Sequence, residues 1–197
     1  MIEVLNSIDT RLFLFLNSRH DPFFDTVMYW FSDKLVWGPM YLLIAFFIVK
    51  YHKINGLVLL LFAVLVIAMC DQIASHLIKN AVMRLRPSHE PALAGMIHLS
   101  KAGPGGMYGF ISSHAANAFG FATFLKYTLD VRFKLLKYWL YIWAVLVSYS
   151  RIYNGVHYPG DVLVAGLAGT AIGWEMSMLY KYVENKYLSK IHEKHQI

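Results

Sequence analysis

Three short polar stretches interrupt an otherwise apolar chain, and together they hold residues that could transfer a phosphoryl group. In KNAVMRLRP, residues 79–87, Lys79 and Arg86 are seven positions apart. On a helix that is about two turns, so both project from one face, and Pro87 biases Arg86 toward extended backbone and ends the helix there. In GFISSHAANAFG, residues 109–120, Ser112 or Ser113 is a natural N-cap with His114 in the first turn behind it. A helix N-terminus presents unpaired N–H groups and the positive end of the dipole, which suits an anion. In SRIYNGVHYPGD, residues 150–161, Arg151 ends one apolar run and His157 sits in a turn broken by Pro159 and Gly160. Asp161 opens the next run, where the helix dipole favours a carboxylate. Across four residues, Asp161 can accept a hydrogen bond from one ring nitrogen of His157. That contact fixes the tautomer and raises the basicity of the other nitrogen, which makes His157 a candidate nucleophile.

Each stretch alone also has a structural reading: a basic helix end snorkelling to headgroups, a capping serine, a helix-opening carboxylate. Together they supply three cations, a helix N-terminus, two histidines and an orienting carboxylate. Cations and backbone N–H groups match the charge on a phosphoryl group's equatorial oxygens. Two histidines on opposite sides suit in-line displacement, one attacking phosphorus and the other protonating the leaving oxygen. The combination points to a phosphate site at a membrane surface.

The elements that must position these residues are membrane helices. Apolar residues make up 57% of the chain and charged residues 15%, against about 45–50% and about 25% in soluble domains, so lipid is the expected solvent for much of the surface. At 197 residues the expectation is a single domain spanning 1–197. The net charge of +6 is modest and partly sorted by side, which does not suit a nucleic-acid partner. The single cysteine, Cys70, excludes a disulfide framework and reads as a small buried hydrophobe. MIEVLNSIDTR lacks the basic start of a secretory signal peptide.

The fold expected is all-α, a polytopic membrane bundle of about five spans near 35–50, 55–79, 113–129, 137–154 and 161–181. Ile2, Leu5, Ile8, Leu12, Phe15 and Leu16 recur at helical spacing opposite Glu3, Asn6, Asp9 and Thr10. That pattern fits an amphipathic helix in the membrane interface, and equally one packed across the bundle. Residues 19–34 read as a turn and short helix with aromatics at headgroup depth, and 84–111 as a long irregular loop. The segments after the odd-numbered spans contain Lys50, Lys53, Lys126, Arg132, Lys134, Lys137, Lys181, Lys186, Lys190 and Lys194, which makes that side cytoplasmic. The three polar stretches then fall on the outer side.

In order and spacing, Lys79-x6-Arg86-Pro87, Ser112-Ser113-His114 and Ser150-Arg151-x5-His157-x3-Asp161 resemble the three motifs of the type-2 phosphatidic acid phosphatase (PAP2) superfamily, over about residues 70–165. The resemblance implies that His157 attacks phosphate and carries a phosphohistidine intermediate, with Asp161 orienting it and His114 as general acid. It implies that Lys79, Arg86 and Arg151 hold phosphate oxygens together with Ser112 and the backbone around Ser113, and that water then hydrolyses the intermediate. It implies neither a metal nor a cofactor. The family's second motif is usually Pro-Ser-Gly-His; here Ile111-Ser112-Ser113-His114 places a side chain where backbone would approach phosphate. Membrane members usually have six spans, and residues 2–16 take the remaining place.

The substrate so implied is a membrane lipid phosphate or diphosphate, hydrolysed on the extracytoplasmic face of a bacterial inner membrane. Undecaprenyl diphosphate and lipid A phosphate suit a compact chain best, with phosphatidylglycerol phosphate and phosphatidate as further candidates. A phosphotransferase would use the same intermediate. A vanadium haloperoxidase shares the motifs but is typically soluble, and a non-catalytic transporter or lipid-binding protein would not need both histidines in register. Asp71 and His76 are candidates for supporting the site. His89, Glu90 and His98 read as loop residues, and His192 and His195 as exposed residues of the basic tail.

Overall fold

A computed structural model describes residues 2–188, so Lys190, His192, Lys194 and His195 lie outside the described residues. The chain is all-α: α1 (Ile2–Asn17), α2 (Pro22–Ser32), α3 (Gly38–Gln72), α4 (Lys79–Val82), α5 (Ser113–Thr128), α6 (Lys134–Tyr153) and α7 (Pro159–Val183). A π-helical stretch, Ile73–Ile78, joins α3 to α4. The one extended pairing among the described residues is an isolated bridge between Leu85 and Tyr108.

α3 is two helices. Lys53 leaves helical geometry with φ 51° and ψ −126°. A Cβ on Gly56 would meet the Ile48 carbonyl oxygen at 2.8 Å, whereas eight residues of straight helix separate two positions by about 12 Å. The chain therefore reverses at Lys53, and the helices expected near 35–50 and 55–79 are antiparallel arms of one hairpin. Among the described residues, two stretches, Leu35–Val82 and Pro159–Tyr187, are long and apolar enough to cross a membrane.

The tightest packing is between α5 and α7, which run parallel. A Cβ on Gly169 would collide with the Ala116 carbonyl, and one on Gly173 with the Gly120 carbonyl. Small residues four apart on both helices bring the backbones together, as in the close helix crossings of membrane proteins. Cys70 of α3 is buried against Gly120 at the same crossing. The outer surface is apolar, with Leu42, Leu43, Phe46, Leu61, Val64, Leu163 and Leu167 all exposed, while Arg86, Arg151, His157 and Asp161 are buried. Charge inside and hydrocarbon outside is the distribution that lipid selects.

α1 packs against α6 and α7. Its apolar stripe faces outward, with Leu5, Ile8, Leu12 and Phe15 exposed, whereas Phe13 and Asn17 are buried. α2 begins where Asp21 accepts hydrogen bonds from the Phe23 and Phe24 N–H groups, and it exposes Phe23, Phe24 and Trp30. The two ends of the bundle differ in charge. At one end Arg132 lies over the Tyr51 ring at 4.9 Å and His52 approaches Asp130 at 3.8 Å, next to the α3 reversal. Lys181 reaches the Tyr127 ring there at 5.9 Å. The three polar stretches lie at the other end.

His98 is a structural pin where a solvated loop residue was expected. Its Nε2 lies 2.8 Å from Asp25 Oδ1, and its ring stacks on His20 at 3.8 Å. Its backbone exchanges two hydrogen bonds with the Asn17 side chain, which also donates to the Tyr153 carbonyl. Burial alone would raise the Asp25 carboxyl, but hydrogen bonds from Tyr153 and His98 hold it below the usual carboxylate range. The long irregular loop is thereby tied to α1, α2 and the end of α6.

Replacing Gly169 by valine should force α5 and α7 apart. Its expected cost is about 1–3 kcal/mol, the usual penalty for overpacking, read as a lowered unfolding midpoint in detergent.

Candidate active site

Four helix ends meet at the charged end of the bundle. α5 and α7 arrive by their N-termini, α6 and the α3–α4 helix by their C-termini, and the Gly169–Ala116 crossing sets the first two side by side. The Ser112 N–H donates to the Asp161 carbonyl at 3.2 Å, which locks the two N-termini together. The dipoles of both helices converge on one small volume; the first turn of α5 carries no side-chain cap, whereas α7 opens on Pro159 and its Gly160 N–H donates to Asp9.

Arg86 reaches that volume by a different route from the one expected. The helix stops at Val82, where Met83 adopts a left-handed conformation (φ 48°). Lys79 and Arg86 therefore do not share a helical face. Pro87 holds Arg86 extended (φ −70°, ψ 156°), and the segment pairs with the loop opposite. Arg86 N–H donates to the Met107 carbonyl at 3.0 Å, and Arg86 Nε donates to the Tyr108 carbonyl at 3.1 Å. Its charge still arrives beside Lys79, whose ammonium lies within electrostatic reach of Arg86, Asp71, Arg151 and Asp161.

His114 is within reach of Arg151, His157 and Lys79, so the cations and both histidines form one cluster. Ser112 occupies the N-cap position of α5, but its hydroxyl does not cap the helix. Ser112 Oγ is instead buried without a partner, as are Arg151 Nε and His157 Nδ1. Arg151 spends another donor on Ser32 Oγ of α2. Ser113 is buried in the first turn, and His76 is exposed on the helix exterior.

His157 and Asp161 are 1% and 0% exposed. Nδ1 of His157 lies 3.4 Å from Asp161 Oδ2, with no closed hydrogen bond between them. The carboxylate is already engaged: Oδ2 accepts from the Tyr158 N–H at 3.0 Å and Oδ1 from Arg84 at 2.8 Å. Burial first, then the charges of Arg86, Arg151 and Lys79, push the His157 imidazole well below its ordinary range, with the Gly109 backbone working the other way. The depressed pKa favours the neutral imidazole, the form that could act as a nucleophile.

Arg84 and Asp9 are residues that sequence reasoning missed. Arg84 donates from Nη1 to Asp161 and from Nη2 to Asp9 Oδ2, both at 2.8 Å, and lies 4.0 Å over the Tyr158 ring. Asp9 in turn accepts from the Gly160 N–H at 2.7 Å. A Cβ at position 160 would sit 2.7 Å from Asp9 Oδ2, so only glycine lets α1 approach. The one local hint was a charged residue on the amphipathic α1. Nothing in the spacing links positions 9, 84 and 161.

Residues 56–186 match the PAP2 superfamily. The chain belongs to that superfamily. It is 37% identical over 193 residues to a lipid A 4'-phosphatase of Bacteroides thetaiotaomicron, covering 97% of this chain and 83% of the relative. A lipid A 4'-phosphatase of Porphyromonas gingivalis is 32% identical over 190 residues, covering 95% and 79%. Among solved structures, Aquifex aeolicus LpxE superimposes with a TM-score of 0.55 at 30% identity, over 87% of this chain and 94% of that one. A PAP2-type phosphatidylglycerolphosphate phosphatase from Bacillus subtilis gives a TM-score of 0.63 at 26% identity, over 93% and 88%. This PAP2 protein is a membrane lipid phosphatase. Among its described residues, no group of three or more His, Cys, Asp or Glu side chains is placed to hold a metal ion.

Two outcomes follow from this geometry. With His157 as the expected nucleophile, its neutral form is the competent one and its pKa is depressed, so the acid limb of kcat/KM should fall below about pH 6.5, the ordinary histidine value. Removing Arg84 with alanine should strand a buried carboxylate at a cost of about 3–5 kcal/mol; Arg84→Lys should restore part of the unfolding midpoint.

Proposed function

We propose that the chain hydrolyses a lipid phosphate through a phosphohistidine on His157. The observation that carries the reading is a cluster of buried donors without an acceptor. Ser112 Oγ and Arg151 Nε are unpaired among Lys79, Arg86 and two helix N-termini. Buried polar groups are nearly always satisfied, so a set of orphaned donors marks the place of an absent anion. A phosphate there would meet Lys79, Arg86, Arg151, Ser112 and the Ser113 backbone.

In the first half-reaction, a ring nitrogen of His157 attacks phosphorus. The N–P bond forms as the P–O bond to the lipid breaks, and His114 gives its proton to the departing oxygen. Phosphate charge beside His114 favours the protonated form that this step needs. In the second, water attacks phosphorus, the N–P bond breaks, His114 accepts the water's proton, and inorganic phosphate leaves. Asp161 stabilises the imidazolium side of the cycle through its charge at 3.4 Å.

The whole chain acts as one catalytic domain. Its five spans are the two arms of α3 with α5, α6 and α7, and α1 lies at the outer interface. Lys50, Lys53, Lys126, Arg132, Lys134, Lys137, Lys181 and Lys186 gather at the end opposite the site, which supports a cytoplasmic placement for that end and an extracytoplasmic site. The relatives named as lipid A 4'-phosphatases, at 37% and 32% identity, favour lipid A phosphate among the candidate substrates.

The test is phosphate release from a lipid panel by purified protein with EDTA present. Wild type should release phosphate despite chelation and form an acid-labile phosphoprotein; His157→Ala should do neither. Equal release by both proteins would sink the mechanism. His114→Ala should lose about 10²–10⁴-fold on lipid substrates, the scale of a missing general acid. It should lose much less on p-nitrophenyl phosphate, whose leaving group needs no proton.

A further inference from the structure

Arg84 is shared between two carboxylates. Its Nη1 donates to Asp161 Oδ1 and its Nη2 to Asp9 Oδ2, both at 2.8 Å. The Arg84 side chain is 21% exposed and that of Asp9 15%, so water screens the trio weakly. The second Asp9 oxygen, Oδ1, accepts from the Gly160 N–H, next to Asp161 in the chain. One carboxylate of α1 therefore holds both the guanidinium that grips Asp161 and the backbone that carries it.

The charge count matters as much as the geometry. Arg84 and Asp161 alone would make a neutral pair. With Asp9 the trio keeps one net negative charge, and Asp161 Oδ2 turns toward His157 Nδ1 at 3.4 Å. Elsewhere His157 faces cations: Arg86 and Lys79 from the first polar stretch and Arg151 from α6, with His114 at the N-terminus of α5 and the Gly109 backbone in support. The Tyr158 ring lies 4.0 Å from Arg84, and its hydroxyl feels Glu90 as well as Asp9 and Asp161.

An imidazole that bonds to phosphorus becomes cationic. Negative charge beside it is then worth more in the transition state than in the resting enzyme, which is what accelerates a reaction. The trio is the source of that charge, and its size depends on Asp9.

We propose that Asp9 is a positioning residue for phosphoryl transfer: by sharing Arg84, it leaves Asp161 the negative charge that steadies the His157 ring as it turns cationic during attack. The proposal rests on the reading above in which His157 is the nucleophile. Asp9 acts only through Arg84 and Gly160.

The experiment follows kcat and kcat/KM against pH for phosphate release in detergent from lipid A phosphate, or from whichever lipid of the panel wild type hydrolyses fastest. Asp9→Asn removes the charge and keeps an acceptor for Gly160. Less negative charge favours neutral His157, so the acid limb of kcat/KM should move to lower pH by about half a unit to one unit, the scale of one nearby, partly buried charge. kcat should fall roughly three- to tenfold with KM little changed, as for an interaction made only in the transition state. Gly160→Ala keeps the carboxylate but sets a Cβ 2.7 Å from Asp9 Oδ2, and should move the limb the same way. Asn17→Ala frees the same helix from the His98 and Tyr153 carbonyls, so it should lower the unfolding midpoint and leave the limb in place.

If Asp9→Asn does not fold, Gly160→Ala decides. An unmoved limb, an equal shift in Asn17→Ala, or failure of both Asp9→Asn and Gly160→Ala to fold would reduce Asp9 to a structural brace and overturn the proposal, leaving the phosphatase reading intact. Full release by His157→Ala, or none by wild type from any lipid, would overturn both.

Discussion

Lys79, Arg86 and Arg151 repel one another, and burying them together also strips away water that would stabilise their charge. Asp161 is the carboxylate that Arg86 and Lys79 both feel, and Arg84 already claims one of its oxygens. The cluster is therefore short of negative charge and rich in donors. A phosphate would supply both the charge and the acceptors, so the proposed binding would relieve a tension that folding has built in. Burial, together with the same field, pushes the His157 imidazole well below its ordinary range and so favours the form with a free ring nitrogen.

Holding such a cluster demands stiff surroundings, and the α5–α7 crossing provides them. Backbones that touch at Ala116–Gly169 and Gly120–Gly173 cannot slide without collision, so the two helix N-termini stay side by side. The Ser112–Asp161 backbone hydrogen bond finishes the alignment. His114 and Asp161 ride on those two ends, which places the proposed general acid and the proposed orienting carboxylate on the most tightly packed part of the bundle.

Segments remote in sequence brace the site from behind. α1 delivers Asp9 to Arg84 and Gly160, and Asn17 to the carbonyls of His98 and Tyr153. α2 delivers Ser32 to Arg151 and Asp25 to Tyr153 and His98. The N-terminal third is thus more than a membrane anchor. It completes a polar network in which Asp161 is held through Arg84 by a carboxylate 152 positions away. It also contributes Ser32 and Trp37 to a cavity beside His114.

The sequence by itself determined the helical class, the positions of the main helices and the polar residues that need a reason. An apolar run long enough for lipid declares itself by composition, and Lys79, Arg86, His114, Arg151, His157 and Asp161 stand out because charge inside such a chain needs a reason. Local chemistry also marked the break at Pro87, although the helix ends earlier, at Val82, where Met83 turns left-handed. Tertiary structure alone decided the rest. The outward turn of α1's apolar stripe, the conversion of His98 from loop residue to pin, and the Asp9–Arg84–Asp161 chain all depend on contacts between distant segments. Helix periodicity reports which residues share a face, but what that face meets is set by packing, and packing has no local signature.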